Sequence, residues 1–98
     1  MYVIIWSFQT NKKSRRKFEE MYGPNGKWAE LFRQSPDYIG TELLKSDDIP
    51  DLYLTVDRWK SEETYVDFLD EKVAEYKTLD DQCEKLTVSQ EFMGRYLA

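Results

Sequence analysis

The chain is 98 residues long, with five Phe, three Trp, seven Tyr, one Cys and no His, enough for one domain, residues 1–98, whose core is either dense in large side chains or shared with a second copy. Without histidine the chain lacks the side chain that titrates near neutrality and the commonest transition-metal ligand, which excludes histidine-based serine triads, zinc hydrolase motifs and histidine-ligated haem. The net charge of −5 opposes binding to nucleic acid, since a polyanion would have to be held by a local basic patch against the overall field.

Tyr2 to Gln9 is rich in β-branched and aromatic residues and reads as a first strand, far short of the ~20 apolar residues a membrane span needs. No charged segment with a cleavage site precedes it, so a soluble, cytoplasmic protein is expected. Ser14 is placed to cap the helix that follows, whose apolar positions Phe18, Met21 and Tyr22 share one face. Gly23-Pro24-Asn25-Gly26 breaks that helix, and Trp28, Leu31 and Phe32 restart the pattern. The tetrapeptide lacks a P-loop lysine and a strand-to-helix setting, so it is a kink and not a phosphate loop. Lysines and arginines between residues 10 and 33 outnumber acids by four, as expected of solvated helix faces.

Tyr38 to Lys45 and Leu52 to Trp59 read as second and third strands. Between them Asp47, Asp48 and Asp51 lack a calcium-loop pattern and read as solvated turn residues, so no metal is expected. Ser61 with Glu62 and Glu63 marks a helix start. From Tyr65 through Phe68, Leu69, Val73, Tyr76, Leu79, Cys83 and Leu86 one apolar stripe continues, with a kink near Glu71 or Lys72. The lone Cys83 has no partner for a disulfide or a metal pair, which suits a reducing compartment. Thr87 to Leu97 alternates as a fourth strand.

The order βαββαβ predicts a ferredoxin-like α+β fold, a four-stranded antiparallel sheet with helices on one face. Tyr2, Ile4, Trp6, Phe8, Ile39, Leu43, Val88 and Phe92 are expected under the helices. The opposite face is expected to carry Val3, Ile5, Ser7, Glu42 and Leu44, then Thr55, Asp57 and Trp59, and finally Glu91, Met93 and Arg95. So many apolar residues on a free sheet face predict a homodimer joined sheet to sheet.

The strings Phe18-Glu19-Glu20-Met21-Tyr22-Gly23-Pro24, Gly26-Lys27-Trp28-Ala29-Glu30-Leu31-Phe32, Tyr38-Ile39-Gly40-Thr41-Glu42-Leu43-Leu44 and Tyr53-Leu54-Thr55-Val56-Asp57-Arg58-Trp59, with Glu75-Tyr76, Leu79-Asp80 and Cys83-Glu84-Lys85-Leu86-Thr87, resemble the antibiotic biosynthesis monooxygenase family. That resemblance implies a dimeric α+β barrel. The family's haem-degrading members use an asparagine on the first strand, and a tryptophan and an iron-ligating histidine on the second helix. This chain departs from all three: Ser7 stands near the asparagine, Phe68 near the tryptophan, and Tyr76, Lys77 or Thr78 near the histidine.

The resemblance instead implies a cofactor-free oxygenase whose substrate, a small aromatic or quinol, reduces dioxygen itself once deprotonated. Such a site needs an apolar stacking cavity, a hydrogen-bonding or basic group, and room for oxygen. Tyr65, Tyr76 and Asp57 are the catalytic candidates. Trp6, Phe8, Tyr22, Trp28 and Phe32 are candidates for lining the cavity, with Phe68 beside them and the Trp59 indole at its mouth. The more ordinary reading of Glu42 and Asp57 is interface charges matched by Arg58 and Arg95, and that of the aromatics is plain core. The competing function is a non-catalytic dimeric barrel that binds a small apolar ligand or serves as an interaction module. A cavity with a tyrosine or an acid pointing into it separates the two.

Overall fold

In a computed structural model describing residues 1–98, the alternating segments form strands β1 (Tyr2–Gln9), β2 (Tyr38–Lys45), β3 (Leu52–Trp59) and β4 (Ser89–Leu97). They make one antiparallel sheet in the order β2-β3-β1-β4. The amphipathic segments form α1 (Arg15–Tyr22), α2 (Lys27–Phe32), α3 (Glu62–Glu71) and α4 (Val73–Cys83), and a short 3-10 turn, Glu84–Leu86, leads into β4. This is the ferredoxin-like arrangement predicted. No helix is long and apolar enough to cross a membrane.

Local chemistry accounts for the helix ends. Gly26 lies so close to the end of α1 that a Cβ there would stand 2.4 Å from the Glu20 carbonyl oxygen, so only glycine fits the turn between α1 and α2. Ser61 caps α3 reciprocally: the Thr64 N–H donates to Ser61 Oγ at 3.3 Å and the Ser61 N–H donates to Thr64 Oγ1 at 3.2 Å. The expected kink falls at Lys72, whose φ of −114° and ψ of 26° separate α3 from α4. Ser14, expected as a cap, makes no side-chain capping bond. Its N–H instead donates to Asn11 Oδ1 at 2.9 Å.

Antiparallel pairing puts partners on one face, and the register corrects the expected sides. Tyr2, Ile4, Trp6 and Phe8 stand opposite Trp59, Asp57, Thr55 and Tyr53, so Thr55, Asp57 and Trp59 face the helices and not the outer surface. Arg95 pairs with Ile4 and joins that inner side. A bulge between Tyr38 and Gly40 leaves Ile39 as the extra residue. Ile39 is therefore 54% exposed, and Val88, just ahead of β4, is 67% exposed, where both were expected under the helices. Asp51, expected in a solvated turn, is largely buried, and its Oδ1 accepts from Arg15 Nε at 2.5 Å. The guanidinium holds that carboxyl below its ordinary range.

The core lies between helices and sheet and is mostly aromatic. Phe18, Tyr22, Phe32, Tyr53, Trp59 and Phe68 are buried there, with Phe18 stacked on Tyr22 at 4.4 Å between ring centroids. The other face of the sheet is bare. Ile5, Leu54 and Val56 are flanked there by Leu44 and by the Glu42–Arg58 ion pair.

Candidate functional site

The sheet and the helices enclose a cavity of about 260 Å3. Its floor is the inner face of the sheet: Ile4, Trp6 and Phe8 from β1, Thr55 and Asp57 from β3, Thr41 from β2 and Gln90 from β4. Its roof is helical, with Tyr22 from α1, Trp28 and Phe32 from α2, Tyr65 from α3, and Tyr76 and Asp80 from α4. Trp28 meets Tyr76 edge to face at 4.9 Å, and Trp6 stacks beside Phe8 at 6.2 Å, so flat π surfaces bound the space.

Asp57 is the group that sets this cavity apart from a plain core. It is 9% exposed, and no lysine or arginine lies among the residues lining the cavity. Thr41 Oγ1 donates to Asp57 Oδ1 at 2.5 Å, and the Tyr38 hydroxyl lies 2.5 Å from the same Thr41 oxygen. Because the single Thr41 proton goes to Asp57, Tyr38 donates to Thr41, forming a relay of three oxygens. In a regular strand residues three apart point to opposite faces. The bulge at Ile39 restores Tyr38 and Thr41 to one side, which lets the relay form. Burial raises the Asp57 carboxyl to about 6, against the opposing pull of the Thr41 hydrogen bond.

The phenols shift the same way. Burial raises Tyr22, Tyr65 and Tyr76 above the ordinary tyrosine range, with the Asp80 charge adding to the rise at Tyr22 and Tyr76 and Arg95 pulling Tyr65 back. All three are protonated at neutral pH, which leaves each hydroxyl a proton to donate to a ligand.

Of the residues singled out from sequence, Asp57, Tyr65 and Tyr76 meet in this one cavity, together with Trp6, Phe8, Tyr22, Trp28 and Phe32. Trp59 and Phe68 stand outside the lining. Trp59 is 0% exposed, with ring centroids of Phe32, Tyr38, Tyr65 and Phe68 between 5.1 and 5.6 Å away. Its indole N–H, expected at the mouth, is buried without an acceptor. Sequence reasoning missed five lining residues: Ile4, Thr41, Thr55, Asp80 and Gln90. Asp80 follows Tyr76 by one helical turn and was open to discovery by that spacing. Thr41 depends on the bulge, which no local signal announces.

A two-layer α+β domain with a buried, uncompensated acid in an aromatic cavity is thus defined by its own geometry. The antibiotic biosynthesis monooxygenase model matches residues 1–77, and the chain belongs to that family. No curated protein matches it. Among solved structures it is similar to a mutant of SnoaB, a cofactor-independent oxygenase from Streptomyces nogalater, with a TM-score of 0.81 and 16% identity over 99% of this chain and 91% of that one. A Nitrosomonas europaea protein assigned to antibiotic biosynthesis monooxygenases gives a TM-score of 0.71 and 18% identity over 100% and 98% of the two chains. A Deinococcus radiodurans protein with the same assignment gives 0.78 and 12% over 100% and 92%. At such identities these likenesses speak for the fold.

Proposed function

We propose that this cavity is the active site of a cofactor-independent monooxygenase for a small aromatic or quinol-like substrate, working as a homodimeric α+β barrel. The observation that carries the reading is Asp57: a buried carboxylate with one oxygen held by Thr41, no cation beside it, and an aromatic cavity in front of it. A group in that setting is suited to take a proton from an acidic phenol or from a C–H activated by flanking rings. The resulting carbanion or phenolate is electron-rich enough to reduce dioxygen. For a ring methylene the balance is one dioxygen consumed for each methylene turned into a carbonyl, with one water released. Carbon is oxidised and both oxygen atoms are reduced: one becomes the carbonyl oxygen, and the other leaves as water with the two methylene hydrogens. Tyr65 and Tyr76, held protonated, donate to the substrate oxygen as charge develops there.

The volume of about 260 Å3 lies just under the ~300–1,000 Å3 range of ordinary ligand pockets, so a compact planar aromatic of one to three fused rings suits it best. Family membership and the description of SnoaB as a cofactor-independent oxygenase support the reaction class. A second copy would cover the apolar outer face of the sheet. A buried free thiol at Cys83 suits a reducing cytoplasm.

The test is oxygen uptake by purified protein against hydroquinones, naphthohydroquinones and anthrones. Uptake above background is expected with at least one, falling about 100-fold in Asp57→Asn and at least several-fold in Tyr76→Phe and Tyr65→Phe. No uptake across the panel, or full activity in Asp57→Asn, overturns the reading in favour of a non-catalytic binding module.

A further inference from the structure

The charges of the cavity are one-sided. Asp57 on the floor and Asp80 on the helical wall are its ionisable acids, and no basic side chain lines it. Arg95, which reaches Tyr65 electrostatically, stands outside the lining with its guanidinium 5.9 Å from the Phe92 ring centroid. Asp57 is nine-tenths buried and faces the cavity with its second oxygen receiving no hydrogen bond from the protein. Asp80 is exposed and takes part in no ion pair. Its charge is nevertheless felt at Tyr22, Tyr76 and Cys83, which places it at the end of the cavity bounded by α1 and α4.

Such a site offers an acceptor at its buried end and, at its open end, a carboxylate beside the rings of Tyr22, Trp28 and Tyr76. A carboxylate or phosphate on the ligand would meet like charge from the lining, while the cations felt nearby, Arg95 at Tyr65 and Lys17 at Cys83, stand outside it. A protonated nitrogen would meet both a counter-charge and aromatic faces, which attract cations through their quadrupoles. We propose that the cavity selects a small phenol bearing a positively charged amino group, with its hydroxyl at Asp57 and its ammonium at the Asp80 end. This rests on the cavity's being the substrate site, and it narrows the substrate to a cationic or neutral phenol, with the cation preferred.

The test uses three phenols of similar shape as probes, tyramine, 4-ethylphenol and 4-hydroxyphenylacetate, titrated at low salt against 15N-labelled protein and followed by NMR shifts of cavity residues. Tyramine is expected to bind three- to tenfold more tightly than 4-ethylphenol, the gain of a partly exposed ion pair with cation–π support, and 4-hydroxyphenylacetate more weakly than either. Asp80→Asn should erase the preference for the amine, so that tyramine and 4-ethylphenol bind alike in that variant, and ~0.5 M salt should shrink the preference in the parent. Equal binding of amine and neutral phenol, binding of the acid as tight as that of the amine, or a preference that survives in Asp80→Asn overturns this proposal and leaves the active-site reading standing. Absence of cavity shifts with all three probes overturns both.

Discussion

Asp57 ties stability and chemistry together. Its carboxyl is raised to about 6 in the folded chain from an ordinary value of 3.8, so between those two values the native state binds more protons than the unfolded one. Stability from this group is therefore full below the lower value and is lost as pH rises through the upper one. Asp57→Asn keeps an acceptor for Thr41 and removes the buried charge. The variant is expected to be more stable than the parent by about 3 kcal/mol at about pH 7.5 and equal to it at about pH 3, read from urea unfolding at the two pH values. A gain that persists at the lower pH would refute the assignment. Thr41 acts through Asp57 as a positioning residue. Thr41→Val removes the one hydrogen bond that favours the ionised carboxylate, so the Asp57 titration should move upward by about one unit, while Thr41→Ser leaves it in place. Carboxyl 13C shifts against pH report this directly, and an unmoved midpoint in Thr41→Val would show that the relay has no electrostatic role.

Two elements carry most of the local specification. The turn joining α1 to α2 works because Gly26 has no side chain. Gly26→Ala drives a Cβ into the carbonyl oxygens of Glu20 and Met21, at 2.4 and 2.5 Å. It should cost about 1–3 kcal/mol and loosen Trp28 and Phe32, which α2 carries into the cavity roof. The start of α3 depends on the exchange between Ser61 and Thr64. Ser61→Ala should cost about 1 kcal/mol in thermal or urea unfolding, with little effect on the cavity, whose α3 residue Tyr65 is also held by ring contacts to Tyr2 and Trp59 at 5.8 and 5.5 Å. The bulges act on the sheet as these turns act on the helices. At Ile39 the bulge gathers Tyr38 and Thr41 on the inner side, and a second shift after Ile5 makes Met93 the extra residue, with Gly94 at a φ of 125° that glycine adopts without strain.

At the largest dimension, one sheet face is covered by four helices and the other by nothing. Ile5, Leu54 and Leu44 form an apolar strip on the open side, beside the largely buried Val56, and the edge strand β4 pairs only with β1. Light scattering at micromolar concentration should give twice the chain mass of 11.8 kDa, and Leu54→Glu should halve it by placing an unmatched charge in the strip. A parent protein that stays monomeric would refute the sheet-to-sheet dimer.

The periodicity and turn chemistry of the sequence sufficed for the element order, the break at Gly23 to Gly26, the kink at Lys72, and the set of aromatics that meet over β1. These signals are local: side-chain spacing of two or about four, and residues that only a turn or a cap accommodates. The side on which Asp57, Thr55 and Trp59 stand was not legible in that way, because strand parity is relative until pairing fixes it, and one bulge reverses it downstream. The tertiary structure settled that pairing. It turned Asp57 from an expected interface charge into the floor of the cavity, moved Trp59 from the mouth into the core, and brought Thr41 and Asp80 to a site where neither had been expected. The absence of histidine, plain from composition, therefore matters in a specific place: the acid–base group available in this cavity is a carboxylate, raised toward neutrality by the burial that the sheet register imposes.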